Sequence, residues 1–503
     1  MSLHNVGDGP AVAAAMGFKR PGNAKSPCRM CEIKGIRYKN TYYVPHNGLE
    51  DLPLRHSVRK TIRDVVLSRS KEVERDWGIT RASILLKLRS VNFPRSFPID
   101  IMHCVLQNIT PTIFKLWNGT KLLDCNNSDT SLPSYQLSKN ALEMIGQQLA
   151  GARGSIPSYL GHAPRRIDLY YRGFKAAEWK AWLTMYALPL ITDKLDERYV
   201  QNFRDLSQLY VLATRHQLNH DQVAEVGSLA QNFVNLFEKN YYRGEEDRLP
   251  VCSVNNHYLL HLSQHIKDCG PACYWWQFPM ERFCGIIKPL ARSKSQLSVS
   301  LSNAILMTEH LNHLHYCQSK LPLVSGYRNE TNTNFPQLLD PLSSRGRQLM
   351  HAQHRYWLPR LSYIIQKVLL DTEVHYYYRC QCRPDLIVGS AKQTRSEINR
   401  ANNFIVYLNR DSGLMELGEV EVFAHIEGAE DWALVRRVAS GNSLFIDRAK
   451  RLASYTREST NLKCTWIQTS EIKSVFGEIA TSATGPHQRA RRFCVTDIDL
   501  FCE

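Results

Sequence analysis

The spacing of apolar residues changes once along this chain, and that change constrains the fold more than any other feature. Between about residues 58 and 315, apolar positions recur at the three- and four-residue intervals of amphipathic helices. Beyond about residue 402 they alternate, as in 404–408 and 418–426, and the residues between these two runs have the composition of a turn. The pattern predicts an α+β protein, mostly α, that ends in a β-rich region.

Changes in composition divide the chain into five predicted segments. Residues 1–57 are punctuated by glycine and proline, and residues 58–270 form an all-α region. Residues 271–320 are predicted to form an aromatic and cationic helix. Residues 321–401 are predicted to be a polar linker with a further helical segment, and residues 402–503 a small β-rich domain. The short alternating runs of this last domain predict a small β-barrel of the SH3-like kind. At 503 residues the chain is long enough for about three domains.

An acid in an aromatic and cationic run is the first candidate site residue. Glu281 stands next to Arg282 and among Trp275, Trp276, Phe278 and Phe283. We expect these neighbours to desolvate Glu281 partly while Arg282 keeps it ionised, which suits a ligand of a divalent metal. The cations expected to contact a DNA phosphate backbone are Arg282, Lys288, Arg292 and Lys294. The alternative is a buried Glu281–Arg282 pair beneath an aromatic core.

Two cysteines have the spacing that lets two thiolates share one metal ion. Cys28 and Cys31 form a C-x2-C pair that suits Zn²⁺. Asp100 and His103 share a helical face, and we expect His103 to be the third zinc ligand and Asp100 the fourth. The alternative is that Asp100 caps a helix that continues to Leu116, with His103 an ordinary half-buried side chain.

Other groups of histidine and cysteine are interpreted as structural. His257, His261 and His265 recur every four residues on one helical face but have no obvious acidic or cysteine partner, so packing is the favoured interpretation. The remaining groups are His310, His313 and His315, and Cys380 with Cys382. Their spacing suits no common metal site.

Composition limits the class of partner. The formal net charge of +16 favours a polyanion such as DNA. No run of about 18 apolar residues is present to span a bilayer, and no basic-then-apolar leader is recognisable, so we expect neither a membrane partner nor secretion. The 14 cysteines follow no disulfide framework and are expected to be reduced intracellular thiols.

A series of short motifs carries more information than composition. The most specific is W-Q-F-P-M-E-R-F-C-G-I-I-K-P at residues 276–289. The others, in chain order, are G-D-G-P-A at 7–11, C-R-M-C at 28–31, D-I-M-H at 100–103, I-P-S at 156–158, G-F-K-A-A-E-W at 173–179 and R-L-P-V-C at 248–252. In this order they resemble the motifs of fungal Plavaka-like transposases, of the CACTA superfamily of cut-and-paste DNA transposases. The resemblance extends over about residues 1 to 310.

The resemblance implies a ribonuclease-H-like core interrupted by a large helical insertion, with residues 1–57 as part of that core and 271–320 as the helix of the last acid. In such a core three acids bind two Mg²⁺ or Mn²⁺ ions, and Asp8 and Glu281 would be the second and third. The first acid would lie well upstream of Asp8, where the chain has only seven residues, so an N-terminally truncated, catalytically incomplete nuclease is expected. Without the resemblance, Asp8 is interpreted as a turn residue.

Two hypotheses of function follow. The first is a transposon-derived, nuclear protein that resembles a transposase and binds DNA, with transposon terminal repeats as the implied partner, but does not cut it. The second is a non-catalytic DNA-binding or scaffolding relic. Homo-oligomerisation is open under both. A Cys/His hydrolase is set aside because no nucleophile motif supports it.

Overall fold

A computed structural model describes most of the helical region and the centre of the β-rich region. The described residues are 6–46, 76–121, 133–291, 295–318, 336–341, 374–383, 386–391, 402–410, 412–426, 431–439, 444–447, 452–455, 464–480 and 492–496. Most of the helix predicted from Val58 to Asp76 lies outside them, as do Arg292 and Lys294.

Helices make up most of the chain up to residue 318. The described α-helices are α1 Gly9–Met16, α2 Thr110–Trp117, α3 Lys139–Gly151, α4 Ile167–Tyr170, α5 Ala176–Ala181, α6 Ala187–Ile191, α7 Glu197–Ala213, α8 His220–Phe237, α9 Val254–Tyr258, α10 Leu262–Cys269, α11 Phe278–Ile287 and α12 Leu297–Gln318. Wider π-type turns precede α2 at Met102–Ile109, join α5 to α6 at Trp182–Tyr186 and follow α8 at Glu238–Tyr242. A 3₁₀ turn, Leu259–His261, joins α9 to α10.

Polar side chains explain where several helices begin. Asn219 and Gln222 exchange hydrogen bonds across the first turn of α8, each side-chain oxygen accepting from the other residue's amide, at 2.8 and 3.0 Å. Asp8 Oδ1 accepts the amide hydrogen of Ala11 at 2.8 Å and so caps α1. Helix α1 ends at Gly17, whose φ of 79° is a left-handed conformation that glycine adopts without strain.

Large aromatic side chains fill the helical core. Trp117, Trp182, Tyr199 and Tyr241 are almost completely buried. Full burial of a large apolar side chain stabilises a fold by roughly 1.5–3 kcal/mol. The polar atoms need partners, and Trp117 Nε1 donates to the Tyr241 hydroxyl at 3.0 Å. The core therefore fixes the relative positions of the end of α2 and the π turn after α8.

The strands form a short hairpin near the N-terminus and a larger antiparallel sheet. The hairpin pairs β1 Ile36–Tyr38 with β2 Thr41–Tyr43. The strands of the sheet are β3 Gln337–Pro341, β4 Val374–Arg383, β5 Leu386–Gly389, β6 Phe404–Leu408, β7 Met415–Ile426, β8 Trp432–Ala439, β9 Leu444–Asp447, β10 Leu452–Tyr455, β11 Cys464–Gln468, β12 Ile472–Ala480 and β13 Arg492–Thr496.

The hairpin predicted around residues 409–413 is confirmed. Strands β6 and β7 pair with Phe404 opposite Glu419 and Leu408 opposite Met415. Strand β7 is long enough to pair with β6 and β4 along one edge and with β8 along the other. It is therefore the central strand of the sheet.

The sheet does not close into the predicted barrel. Its strands lie in the order β11-β8-β7-β6-β12-β13-β10-β9, and in the part of the chain that is described β11 pairs with β8 alone and β9 with β10 alone. The segment predicted as linker and helix also differs, because it contributes β3, β4 and β5. In β4 the buried side chains of Tyr376, Cys380 and Cys382 are separated by even numbers of residues, which is the period of a strand rather than a helix.

The sheet packs against the helical region. Gly477 in β12 lies so close to Ile156 that a Cβ added to it would come within 2.4 Å of Ile156 Cδ1. The Ser155 hydroxyl donates to the backbone oxygen of Glu478 at 2.6 Å. Ile479 and Phe493 join the same hydrophobic core as the helices. The prediction of an α+β protein, mostly α, is confirmed.

Candidate metal centre and acidic site

Four buried side chains that suit a metal ion meet in the helical region. Cys28, Cys31, His257 and His261 each offer one ligand atom, and these atoms lie within 4.8 Å of one another. Cys28 Sγ is 3.4 Å from His261 Nε2, and Cys31 Sγ is 3.2 Å from His257 Nε2. The two histidine Nε2 atoms are 3.1 Å apart. This Cys/His cluster could hold a structural metal such as zinc.

Local structure brings the four groups together. His257 lies in α9 and His261 at the end of the following 3₁₀ turn, so four residues of spacing place both imidazoles on one face. Cys28 and Cys31 lie in the loop before β1, and the Met30 amide donates to Cys28 Sγ at 3.3 Å. A loop and a helical segment more than 200 positions apart in sequence thus share one cluster.

The cluster favours a thiolate. Burial by itself would raise the pKa of the Cys28 thiol, but the Cys31 hydrogen bond and the charges of His261 and His257 hold that pKa well below its ordinary value. A thiolate is the form of cysteine that binds metal.

The third and fourth members of the cluster differ from those predicted. His257 and His261, which we interpreted as packing residues, lie beside the two thiols. Asp100 and His103, which we predicted as ligands, lie elsewhere, at the start of the helix that leads into α2. The i, i+4 spacing of His257 and His261 was the sequence signal for the pair, and only the fold supplied its cysteine partners.

Asp100 and His103 form a hydrogen-bonded pair of their own. His103 Nδ1 is hydrogen-bonded to Asp100 Oδ2. Asp100 also accepts amide hydrogens from Met102 at 3.2 Å, His103 at 3.3 Å and Gln277 at 3.1 Å. Asp100 is therefore a helix cap, as the alternative interpretation had it, and it also holds the residue before α11.

His103 contacts one of the two acids of the transposase resemblance and responds to the charge of the other. Its Nε2 lies 3.5 Å from Glu281 Oε1. Burial alone would lower the pKa of His103, but the Asp100 hydrogen bond and the charges of Asp100, Glu281 and Asp8 raise it above the ordinary value. Asp8 and Glu281 thus lie within electrostatic reach of one imidazole. We call Asp8, Asp100, His103 and Glu281 the acidic site.

The surroundings of Glu281 differ from the aromatic burial we expected. No residue of α11 is buried against the rest of the described structure, and the Glu281 side chain is 53% exposed. Phe283 is exposed as well, and only Trp275 among the expected aromatic neighbours is buried. The alternative of a buried Glu281–Arg282 pair is therefore also wrong. Arg282 and Lys288 are exposed to solvent beside the acidic site's Glu281.

Membrane insertion has no support in the described helices, because none of them is both long and apolar enough to cross a bilayer.

Comparison with known families and proteins gives one match. No curated protein and no solved structure matches the chain. A family model for a domain of unknown function, DUF4218, matches residues 245–334, a stretch that includes His257, His261 and Glu281. The chain thus contains, in the part that supplies half of the Cys/His cluster, a segment similar to a family found in transposon-derived proteins.

Proposed function

We propose that this chain is a transposon-derived DNA-binding protein of the nucleus that resembles the Plavaka-like transposases of the CACTA superfamily. The observation that carries the proposal is the contact of Glu281 with the Asp100–His103 pair beside exposed cations, with Asp8 close enough to favour the charged form of the same imidazole. The match of residues 245–334 to a family of transposon-derived proteins supports the same class. A ribonuclease-H-like core, of which residues 6–46 and α11 would be parts, belongs to this proposal.

DNA binding would rest on charge. The chain has a formal net charge of +16. Arg282 and Lys288 are exposed on and just after α11, where a phosphate backbone can reach them without displacing buried groups. Contacts of this kind position DNA without reading its sequence.

Asp8 and Glu281 are the residues that would hold Mg²⁺ or Mn²⁺, which favour carboxylate oxygens. Glu281 is about half exposed, so its oxygens are accessible. Asp100 is already occupied by three amides and by His103, so its role is to orient His103. A bound cation would supply Lewis-acid stabilisation of phosphodiester charge. Because two carboxylates do not complete a two-metal shell, we propose DNA binding without cleavage.

Zinc is the ion we propose for the Cys/His cluster. Tetrahedral zinc has Zn–N distances of about 2.0–2.1 Å and Zn–S distances of about 2.3 Å, so its ligand nitrogens lie about 3.3 Å apart and a sulfur and a nitrogen about 3.6 Å apart. In the Cys/His cluster the two histidine nitrogens are 3.1 Å apart, and the two sulfur–nitrogen distances are 3.2 and 3.4 Å. Metal analysis of the purified protein should find about one zinc per chain, lost in Cys28→Ser with Cys31→Ser; unchanged zinc content would disprove the assignment.

A gel-shift and nicking assay tests the function. Purified protein should shift duplex DNA at low salt and leave supercoiled plasmid uncut in Mg²⁺ or Mn²⁺. Glu281→Gln should weaken Mn²⁺ binding measured by calorimetry, whereas Glu225→Gln, an exposed acid on α8, is the matched control. Absence of DNA binding would refute the proposal. Strand cleavage that Glu281→Ala abolishes would instead show a complete nuclease.

A scaffolding relic that binds no divalent cation is the second candidate. The contact of Glu281 Oε1 with His103 Nε2 at 3.5 Å favours it, because that oxygen already faces a side chain that a cation would have to displace. It predicts DNA binding that Mn²⁺ and Glu281→Gln leave unchanged.

A further inference from the structure

Two buried connectors run from the Cys/His cluster to the acidic site. The first begins in the C-x2-C loop itself. Arg29 lies between the two cysteines, is 4% exposed, and donates to the backbone oxygens of Phe97 at 3.2 Å and Pro98 at 3.0 Å. Its guanidinium also lies over the ring of Tyr258, 5.1 Å from the ring centre. Arg29 therefore ties the cysteine loop to the segment that immediately precedes Asp100.

The second connector begins one helical turn beyond His261. The Ile99 amide donates to His265 Nδ1 at 3.2 Å, and both groups are buried. Burial lowers the pKa of His265 to about 3, with the charges of His261 and Arg29 acting in the same direction. The ring therefore stays neutral at ordinary pH and its Nδ1 remains an acceptor. The residue before Asp100 is thus held by the same helical segment, residues 254–269, that carries the histidine ligands.

Asp100 is in turn hydrogen-bonded to the residue that precedes α11, the helix that carries Glu281. Its carboxylate accepts the backbone amide hydrogen of Gln277. The backbone oxygen of Gln277 in turn accepts the amide hydrogen of Glu281 at 2.9 Å. The other side of the same carboxylate holds His103. Hydrogen bonds and short stretches of backbone between them therefore join the two sites, although no contact is described between a ligand of the Cys/His cluster and Glu281.

We propose that zinc bound to Cys28, Cys31, His257 and His261 fixes Asp100 through Arg29 and His265, and so sets the position of the α11 helix that carries Glu281. The ion joins the cysteine loop to the helical segment 254–269. Arg29 of the loop holds Phe97 and Pro98, and His265 of the helical segment holds Ile99. Without the ion the two anchors move independently, and the carboxylate that holds Gln277 and His103 is no longer fixed. Zinc in the Cys/His cluster would thereby control the cation site of the proposed function, on which this proposal rests, but the experiments below require neither DNA binding nor Mn²⁺ binding.

Amide hydrogen exchange in the full chain tests the coupling. The reporters are the amides of Met102, His103 and Gln277, which all donate to Asp100. Removal of zinc with a chelator should speed their exchange at least about tenfold, because buried hydrogen bonds to a charged acceptor are lost. The Val420 amide, which donates to Asn403 in the sheet at 2.8 Å, should keep its rate and report that the sheet stays folded.

A substitution in the first connector separates zinc binding from the fixing of Asp100. Arg29→Met keeps all four ligands, so it should retain about one zinc per chain and still speed exchange at the three reporters. Arg153→Met removes an exposed arginine and should change neither quantity. Unchanged reporter exchange in zinc-loaded Arg29→Met would overturn the proposal, even if chelation unfolds the protein.

Thermodynamic reciprocity supplies an independent readout. If zinc fixes Asp100, then Asp100→Asn should in turn weaken zinc binding, measured by competition with a chromophoric chelator. An unchanged zinc affinity in Asp100→Asn would also overturn the coupling. Asp8 belongs to neither connector, so Asp8→Asn should alter neither zinc content nor exchange at the three reporter amides. Failure of the DNA-binding proposal is therefore distinguishable from failure of this one.

Discussion

His103 Nε2 lies 3.5 Å from Glu281 Oε1, while the other nitrogen of the same ring is hydrogen-bonded to Asp100. One imidazole therefore connects a carboxylate that is 1% exposed to one that is 53% exposed. The buried partner sets the orientation of the ring, and the exposed partner remains free to take a ligand. In the acidic site, Asp100 and His103 are therefore held in place, whereas the side chain of Glu281 can change position.

The charge on His103 should make stability depend on pH. Its pKa is raised in the folded protein above the unfolded value of about 6.5. The stabilisation is therefore fully present below about pH 6.5 and is lost as the pH rises through the raised pKa. We expect Asp100→Asn to lower the free energy of unfolding by about 1–3 kcal/mol near pH 6 and by less near pH 9.

Urea unfolding of both proteins at the two pH values measures this difference. His103→Gln is the matched control, because Asp100→Asn introduced into it should cost the same at both. An equal cost in the native background would contradict the prediction.

Bound zinc should make thermal stability depend on zinc concentration. Above the dissociation constant, each tenfold rise in free Zn²⁺ adds about 1.4 kcal/mol to the free energy of unfolding, provided the unfolded chain does not bind it. Melting in chelator-buffered zinc should therefore give a Tm that rises with the logarithm of free Zn²⁺. The protein with Cys28→Ser and Cys31→Ser should show a flat response, and a rising response in that variant would place the zinc elsewhere.

DNA affinity should depend on the exposed cations at α11. Each phosphate contact contributes a slope of about 0.9 to the fall of log affinity with log salt. Lys288→Ala and Arg282→Ala should each reduce that slope by about 1 for every DNA sequence tested. Fluorescence anisotropy at several salt concentrations gives the slope. Lys288→Arg keeps the charge and should leave it unchanged; a slope that neither alanine variant alters would exclude this surface.

The contact between the sheet and the helical region should not tolerate a methyl group. An added Cβ at Gly477 would come within 2.9 Å of Ile156 Cα, which is backbone and cannot rotate away. We expect Gly477→Ala to destabilise the protein by about 1–3 kcal/mol. Gly151, at the end of α3, has no atom within 4 Å of its would-be Cβ, so Gly151→Ala should be neutral or stabilising by up to about 1 kcal/mol. Equal unfolding midpoints for the two variants would show that this interface relaxes freely.

Local patterns predicted the local parts of the structure. The alternation around residues 404–426 predicted the β6–β7 hairpin, and the polar Asp100 before an apolar stripe predicted a helix cap. In β4 the same alternation is present, but the polar residues around 329–334 led us to predict a linker and helix over 321–401.

The sites were predicted only in part, for a physical reason. C-x2-C spacing identifies two thiols, but the other two members of the cluster are brought to them by tertiary packing, which no spacing rule encodes. The aromatic run suggested burial of Glu281 because composition does not reveal which face of a helix has a neighbour. In the described structure α11 lies at the edge of the core, and its carboxylate reaches solvent.

The separation of the cluster's two halves has a consequence during synthesis. Cys31 and His257 are 226 positions apart, and Cys28 and His261 are 233 apart. A ribosome that adds about 5–20 residues per second reaches the partner histidines about 11–47 s after it has made the cysteines. Throughout that interval both thiols emerge without their imidazole partners and are open to oxidation or to other metals. We therefore expect the nascent chain to need a reducing environment until His261 has been translated.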